Sequence, residues 1–233
     1  MVRWRWVITV LVLSMLIGAA RPIWQAVREA PIRSVRIAGA LQHTDRNVLE
    51  QAISALLRDG FFGVDVTAVR QAIERLAWVK EASVRRIWPD SLHVAVIERE
   101  ATAYWGSHQL LESDGTLFSP EGGGPSDLVK LDGPPGTADE VLARYRVLQR
   151  LLRPLGRAVA RLTLNPRGVW RAELDNGTSL VFEEGLAVKR LRQFAQVASA
   201  AFGEGLEAVA RVDLRYANGF AVRWKAQPKQ VSG

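Results

Sequence analysis

Residues 78–105 leave this chain few ways to fold. They read W-V-K-E-A-S-V-R-R-I-W-P-D-S-L-H-V-A-V-I-E-R-E-A-T-A-Y-W, two strand-like runs around Trp88-Pro89-Asp90-Ser91. Proline presets φ for the second position of a tight turn, and Asp and Ser side chains hydrogen-bond nearby backbone, so the turn is expected there. Leu92, Val94 and Val96 alternate with His93, Ala95 and Ile97, and Ala82 and Val84 alternate with Glu81, Ser83 and Arg85. Successive strand side chains point to opposite faces, so the hairpin has one apolar face. A hairpin of this kind is not stable alone. Something upstream must cover it.

The upstream chain supplies two helical patterns. Thr44 is the expected N-cap of the first, with Asp45 in its first turn and Leu49, Ala52, Ile53, Leu56 and Leu57 on one stripe ending at Gly60. The second starts near Asp65 or Thr67 and carries Val69, Ala72, Ile73 and Leu76. A short strand, 32–37, precedes both. The order β-α-α-β-β is about the smallest arrangement that buries a three-stranded sheet under helices.

This order, with 78–92 as quoted and the following Glu98-Arg99, resembles the POTRA (polypeptide-transport-associated) domain of the bacterial FtsQ/DivIB division proteins. Two later stretches are similar to the same family: L-L-E-S-D-G-T-L-F-S at 110–119 and V-D-L-R-Y-A-N-G-F-A-V-R-W at 212–224. The resemblance covers most of the chain from Ile32 onward. It implies an α+β protein with a single N-terminal transmembrane helix, a β-α-α-β-β POTRA domain and a mixed β-sheet domain with flanking helices. The expected boundaries are a cytoplasmic tail at 1–6, a transmembrane helix at 7–24, the POTRA domain at 32–100, an FtsQ-type β domain at 101–226 and a C-terminal tail at 227–233.

Residues 7–20 form the only long apolar run, preceded by Arg3 and Arg5. Extended to Trp24 it would make a helix of roughly 27 Å, just enough for a hydrocarbon core of about 30 Å. Trp4, Trp6 and Trp24 suit the interfacial aromatic belts, and Arg21 would snorkel. The run also fits a cleaved signal peptide with Gly18-Ala19-Ala20 at the cleavage site; the single-pass character implied by the resemblance favours the retained anchor. Arg3, Arg5 and the terminal amine oppose Arg21 and a nearly neutral Arg28-Glu29, which places the N-terminus in the cytoplasm. The bulk of the chain is then periplasmic, a single-pass type II protein of the inner membrane. The tail is shorter than in many family members.

Beyond residue 100, strands are expected at 101–105, 109–111, 116–118 and 128–131. A helix carrying Leu142, Tyr145, Leu148 and Leu152 opens with a capping-box pattern, Thr137 and Glu140. Strands follow at 158–164, 169–174 and 178–182, with Asp175-Asn176-Gly177 as a hairpin turn. Another helix carries Val188, Leu191, Phe194, Ala198 and Ala201. The final hairpin joins 209–216 to 220–224, with Val212, Leu214, Tyr216, Phe220, Val222 and Trp224 on one parity.

Composition narrows the chemistry. The 233 residues contain no cysteine, so a disulfide framework, a thiolate metal site and a catalytic thiol are excluded. The net charge of +7 comes from scattered arginines without an aromatic-studded basic stripe, which argues against a nucleic-acid partner. His43, His93 and His108 lack metal-ligand spacing. Gly203–Ala208 matches a loose Gly-x-Gly-x-x-Ala pattern, but it follows a helix where a dinucleotide site needs a strand. The acidic pairs Glu98/Glu100 and Glu183/Glu184 lack a cleft and read as solvated carboxylates. Neither a catalytic site nor a cofactor site is expected.

The remaining candidate is an interaction edge: a last hairpin can leave its final strand unpaired on one side. By parity alone, Tyr216 and Trp224 belong to a core face. The resemblance assigns them instead to a partner site, because the last hairpin of FtsQ proteins binds FtsB, which brings FtsL. The family pattern D-L-R-Y-x-x-G-x-A-V-x-W stands at Asp213, Leu214, Arg215, Tyr216, Gly219, Ala221, Val222 and Trp224, and Asn218 falls where some relatives carry serine. The expected partner-binding residues are therefore Arg215, Tyr216, Asn218, Gly219 and Trp224, with Arg215 open to substitution at little cost to the core. The resemblance further implies a scaffold at the division septum that links early and late division proteins, some through the POTRA domain, and helps control septal peptidoglycan synthesis. The competing readings are a POTRA protein of outer-membrane insertion or two-partner secretion, which needs a membrane barrel, and a periplasmic enzyme.

Overall fold

The computed structural model describes residues 31–183, 190–194, 196–197, 207–216 and 219–225. The expected membrane span, the N-terminal tail, Asn218 and the tail after residue 226 lie outside these, as does the Gly203–Gly205 part of the glycine-rich match. Among the described residues, no helix is long and apolar enough to cross a membrane. The chain divides into two compact units, the first ending at Arg99 and the second beginning at Glu100.

The first unit is a three-stranded sheet in the order β1-β3-β2, made by β1 (Ser34–Ala38), β2 (Val79–Ile87) and β3 (Ser91–Glu98). β2 and β3 form the antiparallel hairpin read from the sequence, and β1 pairs parallel to β3. The alternation sorts the faces as expected. Leu92, Val94, Val96 and Ala82 are buried, while Glu81, Arg85 and Ile97 are exposed. The Trp88–Pro89 peptide bond is cis.

Against that face lie α1 (Arg46–Ser54), which runs into a 3-10 turn at Ala55–Leu57, and α3 (Val66–Glu74). Leu49 and Ile53 of α1 and Val69 and Ile73 of α3 complete the core. Asp65 caps α3 through the N–H groups of Thr67 and Ala68. Between the two helices Gly60, at φ 72°, breaks the first run and opens a short α2 (Gly60–Gly63) that the helical spacing did not reveal.

The cap of α1 is Asp45, whose carboxylate accepts the N–H of Asn47, and not Thr44 as expected. The reason lies at the other end of the unit's sequence. Glu98, at the end of β3, accepts the backbone N–H groups of Gln42 (2.8 Å), His43 (3.1 Å) and Thr44 (2.7 Å). Thr44 thus belongs to a loop clasped by a carboxylate. Glu98 is only 8% exposed in its side chain, so it is not the solvated carboxylate the sequence suggested. His43 stacks on Trp78 at 4.0 Å beside it. Burial opposes the charge on Glu98, but the N–H groups of Gln42, Thr44 and His43 outweigh it and hold its pKa below the ordinary value.

The second unit is a nine-stranded mixed sheet in the order β12-β11-β10-β9-β8-β7-β4-β5-β6. Its central strands are β4 (Ala101–Trp105), β7 (Val129–Asp132), β8 (Val159–Leu164), β9 (Val169–Leu174) and β10 (Ser179–Glu183). β5 (Gln109–Glu112) and β6 (Leu117–Phe118) finish one side, and β11 (Val209–Asp213) and β12 (Ala221–Trp224) the other. β7 and β8 run parallel, which demands a crossover, and α4 (Ala138–Leu152) supplies it. Its residues Val141, Leu142, Leu148 and Leu152 are buried in the core with Trp170 and Phe182. Thr137 stands at the start of α4, but the capping box does not form. Its hydroxyl donates to the Pro134 carbonyl at 2.7 Å instead. The Asp175-Asn176-Gly177 turn forms as expected, with Gly177 at φ 80° and Leu174 N–H donating to Thr178 O.

The Glu98 clasp makes stability pH-dependent in a defined direction. A carboxylate whose folded pKa is depressed stabilises fully above its unfolded pKa, and that contribution is lost as pH falls through the folded value. The melting temperature of the first unit should therefore drop as pH is lowered from about 5 to about 3. Glu98→Gln should lower it at pH 7 and flatten the profile across that window. Parallel wild-type and variant curves in a thermal-melting series would show that the clasp carries no such linkage.

Candidate partner-binding edge

The last two strands form the outer end of the second sheet. β11 lies parallel to β10, with Leu180 opposite Val212, and β12 returns antiparallel with Val222 opposite the same residue. The Thr178 hydroxyl, itself buried, donates to the Val209 carbonyl at 2.9 Å and anchors the start of β11. Beyond Asp213 the strand ends, although Leu214 still donates its N–H to Val181 O at 2.8 Å. On the side of β12 away from β11, no strand is paired among the described residues.

Asp213 determines the local electrostatics. It is buried, and Arg215 grips it with two hydrogen bonds, Nε to Oδ1 at 2.9 Å and Nη2 to Oδ2 at 2.7 Å. The Arg211 guanidinium stands 3.5 Å from the same carboxylate. The hydrogen bonds from Arg215 hold the Asp213 pKa below the usual value against the cost of burial. Arg215 therefore faces inward as well as outward, and its expected independence from the fold is overturned. A bidentate guanidinium-carboxylate pair is geometrically demanding, and removing one partner leaves the other charge desolvated.

The segment after Arg215 is held from below. Arg190, in the helical residues 190–194, donates through Nη1 to the carbonyls of Tyr216 and Gly219, the latter at 3.2 Å. Phe194 packs edge-to-face on Phe220 at 5.6 Å, and Phe220 and Val222 are half-buried. Lys225 ties the end of β12 inward, its Nζ donating to Asn176 O at 2.8 Å.

The two aromatics of this hairpin depart from their parity. Val212 and Leu214 are buried as expected, but Tyr216 is 58% exposed and Trp224 53%. Two features explain this. β11 stops at Asp213, so Tyr216 lies in a bend where strand alternation no longer applies. The pairing of β11 with β12 also slips between Val209 and Arg211, a bulge next to the position opposite Trp224. Of the five candidate residues, Arg215, Tyr216, Gly219 and Trp224 all lie exposed around this hairpin, and Asn218 is outside the described residues. Arg190 was not anticipated as part of this corner; only its place two residues after the expected helix start pointed that way. Among the described residues, no group of three or more His, Asp or Glu side chains is placed to hold a metal ion.

Known proteins give the chain its family. Residues 30–99 match a model described as POTRA domain, FtsQ-type, and residues 103–215 match one described as cell division protein FtsQ/DivIB, C-terminal. A cell division protein FtsQ from Allochromatium vinosum is 37% identical over 230 residues, covering 95% of this chain and 90% of that protein. The chain belongs to the FtsQ family of cell division proteins. The FtsQ proteins of Xanthomonas campestris pv. campestris (34% identical; 93% of this chain, 78% of that one) and Burkholderia pseudomallei (34%; 91% and 87%) are similar as well. These matches set aside outer-membrane insertion and two-partner secretion. The C-terminal FtsQ/DivIB match ends at Arg215, so Tyr216, Gly219 and Trp224 lie just past it.

The Asp213–Arg215 pair yields a stability test. Arg215→Glu should lower the melting temperature of the second unit, because it sets a carboxylate against a buried one. Melting at the wild-type temperature would contradict a structural role for the pair.

Proposed function

We propose that this chain is a non-catalytic division scaffold that receives FtsB, and with it FtsL, as an added strand on β12. The supporting observation is the state of that edge. β12 is paired on one side only among the described residues, and Tyr216 and Trp224 are exposed beside it. Strand addition draws affinity from main-chain hydrogen bonds, while flanking pockets and aromatics set specificity. Trp, Tyr and Arg are the residue types that dominate binding energies at interfaces. Arg215, Tyr216, Asn218, Gly219 and Trp224 form the proposed contact set, with Arg215 also fixing Asp213.

The scaffold is anchored in the bacterial inner membrane by residues 7–24, with 1–6 in the cytoplasm and the remainder in the periplasm. In this reading 32–100 is a POTRA domain that meets other division proteins, 101–226 is the partner-binding β domain and 227–233 a tail. The protein acts at the septum, linking early and late division proteins and helping to control septal peptidoglycan synthesis.

Co-purification from detergent-solubilised membranes should recover FtsB and FtsL with the wild-type chain. Exposed aromatics are removable without emptying a core, so Trp224→Ala and Tyr216→Ala should melt close to wild type. Each should weaken FtsB binding by about 2 kcal/mol or more, roughly thirtyfold. Full-strength binding by folded variants would sink the proposed interface.

A further inference from the structure

An apolar surface unrelated to β12 lies at one end of the first unit. Phe61, Phe62 and Trp88 form a three-ring cluster, edge to face, with centroids 5.2, 5.8 and 5.5 Å apart. Phe61 is buried, but Trp88 is 73% exposed and Phe62 39%. The base of the cluster is fixed. Arg86 donates through Nε to Phe61 O at 3.0 Å and through Nη2 to Val64 O. An indole 73% exposed yet packed on two further rings forms a contiguous apolar patch, the kind of surface that marks an interaction site.

Its position indicates the partner. The turn that carries Trp88 also receives the incoming chain: Arg33 N–H donates to Asp90 O at 2.9 Å, and the Ser34 and Ser91 hydroxyls lie 2.8 Å apart. Under the topology proposed above, on which this inference rests, the membrane span ends near Trp24. The ten or so residues from there to Ser34 reach roughly 33–36 Å at most. β1 is five residues long, roughly 17 Å, so the Trp88 end is the tethered end and Gly39 lies about that length farther out. Trp and Phe side chains partition into the headgroup layer of a bilayer. Arg33, exposed and 3.5 Å from the Asp90 carboxylate, and exposed Arg58, next to Asp59, balance the charge of this end, so the aromatic rings carry the docking.

We infer that Phe62 and Trp88 dock the first unit on the lipid surface beside its own anchor. The docked tip fixes which way β1 and the sheet rise from the membrane.

The chain has no cysteine, so one introduced residue takes a nitroxide label cleanly. Asp59→Cys, exposed and just before α2, places the label at the tip, and Ala40→Cys places it at the far end. The full chain is reconstituted in phosphatidylcholine vesicles containing phosphatidylglycerol, and collision with oxygen is compared with collision with a water-soluble nickel complex. The tip label should favour oxygen and the far label nickel. Adding Phe62→Ser and Trp88→Ser should return the tip label to water; Trp88→Ser alone serves where the double variant fails to melt cooperatively. A tip label in water with the native rings overturns the inference, as does immersion that survives the serine substitutions. Shielding from both probes does so too, since it signals a protein contact. An alkaline wash separates the two readings. Release of the chain overturns the anchor and the docking together, whereas a retained chain with a tip label in water overturns the docking alone.

Discussion

Burying a carboxylate at the end of a strand is costly unless donors meet it, and Asp213 is met by the two-pronged grip of Arg215. That pair closes the end of β11. Past it the backbone leaves the ladder, and Arg190 gathers the bend from beneath through the carbonyls of Tyr216 and Gly219. The return strand then runs along the outside of the sheet with Trp224 turned to solvent. The edge offered by this protein thus depends on one ion pair and one arginine clamp more than on the hydrophobic pattern of the hairpin.

The same device recurs in the first unit with different chemistry. Glu98 ends β3 and spends its acceptors on three consecutive N–H groups of the loop before α1. In both units an acidic side chain at a strand end gathers donors, Glu98 from backbone 54 to 56 residues away and Asp213 from Arg215 two residues on. The hydrophobic cores set which face is inside, and the buried carboxylates set where strands and loops stop.

This division of labour explains what was legible in the sequence. Period-two alternation read the β2–β3 hairpin correctly because a single buried face enforces it, and the helical stripes of α1 and α3 followed from the same core. The Asp175-Asn176-Gly177 turn was legible because its backbone requires a residue at positive φ. The failures lie in polar contacts, strand ends and register slips, none of which periodicity encodes. The Thr44 cap was lost to Glu98, 54 residues away. The Thr137 capping box was lost to a local carbonyl. Tyr216 and Trp224 followed parity only while the strand lasted and the register held, and neither the bulge nor the strand's end is encoded in alternation. At the β12 hairpin both aromatics are exposed where periodicity pointed to the core.

If β12 accepts a partner strand as proposed, hydrogen exchange reads it at the backbone itself. Exchange of the Ala221–Trp224 amides in the detergent-solubilised full chain should be measured with and without FtsB. Amides of β12 facing away from β11 should slow strongly on binding, while those already paired to β11 should change little. Binding that leaves the outward amides exchanging at their free rate would contradict strand addition on β12.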